Sequence, residues 1–176
     1  IQSAGSWAPS RYADLLPWPR ADADKVTRGR VLVVGGAPGL TGAVCLAAEA
    51  ALRSGAGYVA VAVPVRSLEV VETKLTAPVK LPLASSERGD LAAEAVQEVL
   101  DAAGRSDAVV LGPGLGRGPG TRAAVRALVE RLDVPLVLDA DGLFALGSDL
   151  RTVAARTAPT VLTPHAGEAA RLLGGV

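Results

Sequence analysis

The chain has 176 residues, 49% of them hydrophobic, with 18 basic and 18 acidic side chains. That length and apolar content suit one folded domain with a sizeable core and exclude a disordered chain. The zero formal charge gives no general pull toward nucleic acid or an anionic membrane, so any anionic ligand must be held by local groups.

No apolar run approaches the ~20 residues of a membrane-spanning helix. The first five residues, Ile1-Gln2-Ser3-Ala4-Gly5, lack the basic and apolar regions of a secretion signal. The single Cys45 cannot form an internal disulfide, which suits the cytoplasm. Set among alanines on an expected helix, it reads as a buried structural thiol. The chain contains no Met, so Ile1 is not read as a translation start. Leu172-Leu173-Gly174-Gly175-Val176 breaks off just past an expected helix, and both ends read as cut ends.

Residues 1–24, with Pro9, Pro17, Pro19 and both tryptophans, form a lead-in segment or interdomain linker that packs against the domain beginning at Lys25. From there short Val/Leu runs alternate with Ala-rich helical stretches, the pattern of βαβ units on a parallel sheet. The first strand is expected over 30–34. Gly35-Gly36-Ala37-Pro38-Gly39-Leu40-Thr41-Gly42 joins it to a helix over 41–54, with Thr41 as N-cap and Gly55 as stop. Glycines let backbone N–H groups approach a ligand, and a helix N-terminus favours phosphate. A tight strand-to-helix turn accounts for the same residues. The loop has no Gly-Lys-Ser/Thr ending and no Gly-x-Gly-x-x-Gly spacing, and the next strand, 58–63, ends without an acid for a ribose. A P-loop and an ordinary Rossmann dehydrogenase are therefore disfavoured.

Helices follow over 65–75 and 91–102, the latter with Asp90 as its expected cap. The strand 108–111 leads straight into Gly112-Pro113-Gly114-Leu115-Gly116, a rigid bare backbone where open α/β sheets bind ligands. After a helix over 120–131 and a strand over 136–138 comes Asp139-Ala140-Asp141-Gly142. Alternate acids there can orient magnesium, bind ribose hydroxyls or cap the next helix, 142–146. Asp139 is expected to face the cleft, and Asp141 reads equally as a cap or turn residue. The strand 160–162 ends in Thr163-Pro164-His165-Ala166-Gly167-Glu168, opening a helix over 166–173. His165 is the only histidine, and no His, Cys or acid lies at metal-ligand spacing from it, which makes zinc a poor fit. Glu168 falls in a first helical turn, where the dipole stabilises a carboxylate. All four loops leave the same edge of one sheet and are expected to line one pocket.

Taken in order, these segments resemble the ribokinase-like ADP/ATP-dependent NAD(P)H-hydrate dehydratases. The resemblance is carried by KVTRGRVLVVGGAPGLTGAVCLAAEAALRSGAG (25–57), VLGPGLG (110–116), PLVLDADGL (135–143) and VLTPHAGEAARLL (161–173). It implies an α/β three-layer sandwich with a mainly parallel central sheet flanked by helices. The substrate it implies is NADH or NADPH carrying water at C6 of the nicotinamide ring. ADP or ATP, with Mg2+, phosphorylates that hydroxyl, and loss of phosphate restores the cofactor. Gly36, Gly39, Ala43, Gly114, Gly116, Asp139, His165 and Glu168 are the expected substrate-binding residues. A fused or partner hydrate epimerase domain before Ile1 and a homo-oligomer are also expected.

Two features depart from the family pattern. His165-Ala166-Gly167-Glu168 stands where the family shows His-Pro-Gly-Glu. The family's later Gly-Thr-Gly-Asp motif, with its phosphoryl anion hole and aspartate base, does not occur in the 176 residues. The catalytic aspartate is thus expected beyond Val176, and residues 1–176 alone are expected to hold substrate without turning it over. A ribokinase-like kinase acting on a vitamin precursor and a non-catalytic binding fragment remain the alternatives.

Overall fold

The computed structural model describes residues 24–174 apart from Val26. Six strands form one sheet: β1 (Arg30–Val34), β2 (Tyr58–Pro64), β3 (Val79–Leu83), β4 (Ala108–Leu111), β5 (Leu136–Leu138) and β6 (Thr160–Leu162). Their order is β3-β2-β1-β4-β5-β6, and every neighbouring pair is parallel. The helices are α1 (Thr41–Arg53), α2 (Leu68–Lys74), α3 (Val96–Ala103), α4 (Pro119–Arg131), α5 (Asp141–Leu146), α6 (Arg151–Ala154) and α7 (Ala166–Leu172).

The alternation of side chains along each strand divides the core in two. Leu32 and Val34 of β1 pack with Val109, Leu111, Leu136 and Leu138 against α3, α4 and α5. Val33, one residue out of phase, joins Val59, Val61 and Val63 against α1 and α2. The chain therefore folds as helices, sheet, helices, as expected. The strand order reverses between β1 and β4, the switch point at which such sheets bind ligands.

Five of the six strands fall where expected. The additional strand, β3, carries Lys80 and Pro82. It pairs only with β2, and an edge strand tolerates a proline because one side of it has no ladder to complete. The expected helix over 65–75 opens as a 3-10 turn, Val65–Ser67. The one expected from Leu91 starts later, because Leu91 bridges Ser85 in extended conformation before the 3-10 turn Ala93–Ala95. Asp90 caps nothing there, since the cap position of that turn is Ala92 and no side chain bonds it. Thr41 is likewise the first helical residue and not the cap; Leu40 holds that place without a side-chain bond. Gly55 does end α1, at φ +105°, with the N–H of Ala56 donating to the carbonyl of Ala51. The single turn α6 was not expected. The reading of residues 1–24 lies outside the described residues except for Asp24.

Cys45 is buried on α1, as expected. Burial pushes its thiol above the ordinary range, and the nearby Lys74 ammonium offsets only part of that. A thiol held protonated and covered is a poor nucleophile. Cys45 should therefore stay unmodified by dithionitrobenzoate near neutral pH and react fully once denaturant is added. Rapid labelling of the native protein would show that α1 opens far more readily than its packing implies.

Candidate functional site

Four loops leave the carboxyl ends of neighbouring strands β1, β4, β5 and β6. They are tied in series by hydrogen bonds. The N–H groups of Gly36 and Ala37 donate to the carbonyls of Pro113 (2.9 Å) and Gly114 (2.6 Å). Asp141 accepts from the Gly116 N–H at 3.0 Å and from Arg117 Nε at 2.8 Å. Thr163 Oγ1 donates to Asp139 Oδ1 at 2.7 Å. The result is one continuous row along the sheet edge. The concave space of about 450 Å³ beside it is lined by the segment from Ser86 to Leu91 and by Gly118 to Thr121, and includes none of the eight expected binding residues. The expected common pocket thus takes the form of an edge, not of a cavity enclosed by the four loops.

The eight residues separate into two groups. Gly36, Gly114, Gly116 and Glu168 are buried. The N–H groups of Gly36 and Gly116 are spent on neighbouring loops, so they bind the framework together and are not free donors. Gly114 sits at φ +63°, and a Cβ there would lie 2.5 Å from the Leu40 carbonyl oxygen. Only glycine lets the β4 loop lie against the start of α1. Gly39, Ala43 and His165 are exposed, and Asp139 is half-buried.

Among these exposed groups the amino end of α1 stands out. No side chain caps it, and Gly42 and Ala43 in its first turn are exposed. A 13-residue helix with an open first turn presents unpaired N–H groups and a partial positive charge. Lys74 Nζ, 2.8 Å from Thr41 Oγ1, adds a cation to the same turn. Neither Lys74 nor Thr163 was anticipated as a contributor.

The two aspartates bond to different neighbours, Asp139 to the β6 loop and Asp141 to the β4 loop. Between them Ala140 adopts φ +47°, ψ −114°, a conformation that strains a residue with a Cβ and that clusters at functional sites. Asp141 does not cap α5, whose cap position is Ala140 with no side-chain bond; it braces the β4 loop instead. Arg117, also unanticipated, pairs with Asp141 and lies 4.5 Å from the centre of the Phe144 ring.

His165 caps α7. Its Nδ1 accepts from the N–H groups of Gly167 (3.0 Å) and Glu168 (3.4 Å), while Glu168 Oε2 accepts from the His165 N–H at 3.0 Å. This is a capping box with histidine in the place usually taken by Ser or Thr. An accepting Nδ1 assigns the ring proton to Nε2, and the His165 side chain is 73% exposed. The other ring nitrogen, Nε2, lies 3.4 Å from Glu168 Oε1, so both nitrogens face the first turn of α7. Among the described residues no three His, Cys, Asp or Glu side chains cluster to hold a metal. No helix among them is long and apolar enough to cross a membrane.

Residues 31–176 match the sequence profile of the NAD(P)H-hydrate dehydratase family. The chain is 45% identical over 159 residues to the bifunctional NAD(P)H-hydrate repair enzyme of Moorella thermoacetica, covering 90% of this chain and 30% of that protein. It is 42% identical over 159 residues to the ADP-dependent (S)-NAD(P)H-hydrate dehydratase of Xanthomonas campestris, covering 90% and 53%. The fold is similar to that of the Bacillus subtilis ADP/ATP-dependent NAD(P)H-hydrate dehydratase co-crystallised with ATP/Mg2+. That match has a TM-score of 0.75 at 26% identity and covers 99% of this chain and 57% of that one. The chain therefore spans between about a third and somewhat over half of the proteins it matches.

Proposed function

The chain belongs to the NAD(P)H-hydrate dehydratase family, whose profile it matches over residues 31–176, and on that premise we propose that it holds the hydrated cofactor in an ADP- or ATP-dependent dehydratase acting on the S-epimer of hydrated NADH or NADPH. The observation that carries this reading is the open amino end of α1 at the strand-order switch point, with Ala43 exposed in its first turn. An uncapped helix end offers donors to the diphosphate of a dinucleotide. The interlocked β1 and β4 loops give a bare floor against which the rest of the ligand lies. The exposed ring of His165 flanks the ligand, and Asp139, steadied by Thr163, accepts from a ligand hydroxyl.

The chemistry follows from leaving groups. Hydroxide departs poorly from C6, whereas a phosphoryl group transferred to its oxygen leaves as phosphate. Loss of a proton from the adjacent carbon then restores the dihydronicotinamide ring. Phosphoryl transfer needs a preorganised anion hole. In this reading that hole and the aspartate base belong to the Gly-Thr-Gly-Asp motif, which these residues do not contain. Magnesium is held through nucleotide phosphates and one or two carboxylates, so it would arrive with the nucleotide. The same reading includes a partner or fused hydrate epimerase, a homo-oligomer and a cytoplasmic location. Leu46, 69% exposed on the outer face of α1, and Val70 on α2 support self-association, which sedimentation velocity would detect.

Two measurements test the proposal. The protein, extended through a Gly-Thr-Gly-Asp region, should form NADH from its hydrate with ADP or ATP, while residues 1–176 alone should not. Comparable turnover by both would place the chemistry in this chain. Ala43→Trp should weaken binding of hydrated NADH by about tenfold or more, since bulk in the first turn blocks backbone approach. The thermal midpoint should not change, because Ala43 is exposed. Unchanged affinity in a calorimetric titration would remove α1 from the site.

A further inference from the structure

The opposite edge of the sheet, where β1 and β2 begin, holds a cavity of about 400 Å³. Its floor is Ala60, Leu81 and Ala102, and its rim carries Lys25, Arg30, Arg105 and Tyr58. Ala60 and Ala102 are buried, so the floor is a true recess in the sheet–α3 interface. Surface lysines and arginines are ordinarily uninformative. These three share one apolar hollow with an exposed tyrosine, and none has an ion-pair partner among the described residues.

Neighbouring groups that could satisfy them are already engaged. Asp107 accepts the Arg30 backbone N–H at 2.7 Å and is not part of the lining. The carbonyls at the end of α3 are taken within the chain, Ala102 O by Ser106 Oγ and Ala103 O by the Ser106 N–H. The carbonyls at that helix end are thus used locally, and the three cations have no neutralising group among the described residues.

We propose that this cavity is a second ligand site, for a small amphipathic anion with a compact apolar body and one carboxylate, sulfonate or phosphate group. The volume lies in the range of small-molecule sites, which are mainly apolar with a few placed polar groups. The floor takes the apolar body, Tyr58 flanks it, and Arg30, Arg105 and Lys25 meet the anion at the rim. The site lies at the start of β1, about 17 Å along the strand from the glycine loop at its end. It is therefore separate from the edge assigned to the hydrated cofactor and does not depend on that assignment.

Fluorescence titration with anilinonaphthalene sulfonate, and with its uncharged parent phenylnaphthylamine, tests this directly. The sulfonate should bind one saturable site that hydrated NADH does not displace. Arg30→Gln combined with Arg105→Gln should weaken the sulfonate by about tenfold or more and change the neutral probe less than about twofold. Neither guanidinium makes a side-chain hydrogen bond or ion pair among the described residues, so the thermal midpoint should hold; Arg105→Glu alone, on a loop, provides a second variant with the same expected direction. Unchanged sulfonate affinity in both variants overturns the proposal. So does competitive displacement by hydrated NADH, or a site that appears only after residues 1–23 are deleted, which would mean that the chain's own leading segment fills it.

Discussion

Gly112→Ala is expected to destabilise the protein by about 3–5 kcal/mol. Gly112 directly follows β4 at φ +130°, where an L-residue is strained, and a Cβ there would lie 1.8 Å from the Asp139 carbonyl oxygen and 2.9 Å from the Gly142 nitrogen. Both neighbours are backbone, so no side chain can swing aside. Relief requires β4 and β5 to separate, which would also break the bond from the Asp139 N–H to the Leu111 carbonyl. Gly120→Ala is the control. It lies in α4, and its added carbon meets nothing nearer than 3.5 Å, so helix propensity should make it neutral or slightly stabilising. Urea denaturation of the two variants separates the cases. A Gly112→Ala cost below about 1 kcal/mol would mean that the β4–β5 loops yield far more easily than their hydrogen bonds indicate.

The strands that could be read from sequence were those in which Val and Leu run without interruption: β1, β2, β4, β5 and β6. Such runs are what a strand covered on both faces requires. β3 was hidden because Lys80 and Pro82 break its run, and only its position at the edge makes that sequence acceptable. The caps were misread for a related reason. Thr41 and Asp90 have suitable side chains at suitable spacing, but the chain reaches each helix along a path fixed by tertiary contacts, in one case the bridge from Leu91 to Ser85.

The site was legible as loops and not as individual roles. That each glycine motif follows a strand is a local fact. That the Gly36 N–H is consumed by Pro113 depends on β1 lying beside β4, and strand order is not written in either segment. The same applies to Asp139 and Thr163, which meet only because β5 and β6 are neighbours. His165 was singled out for its rarity and its position at a strand end. Its cap function was missed because histidine seldom serves as an N-cap.

Asp141→Ala should cost about 2–3 kcal/mol and loosen the β4 loop in particular. The carboxylate is 9% exposed and holds two donors, the Gly116 N–H and Arg117 Nε. Removing it leaves the Gly116 N–H buried without a partner, which costs more than the net worth of the bond. Arg117 is 60% exposed and can return to water, so its share of the pair is small; Arg117→Ala should cost no more than about 1 kcal/mol. Asp141→Asn keeps an oxygen to receive the Gly116 N–H but loses the charge, and should fall between the two. Because Gly116 leads the loop toward the amino end of α4, hydrogen exchange at residues 112–118 should rise in Asp141→Ala while exchange in β1 and β2 stays unchanged. Equal losses from Arg117→Ala and Asp141→Ala would shift the stabilisation to the ion pair and away from the loop N–H. The ranking expected here, Ala below Asn below wild type at position 141 with position 117 nearly silent, follows only if the aspartate acts as a strut between the β4 and β5 loops.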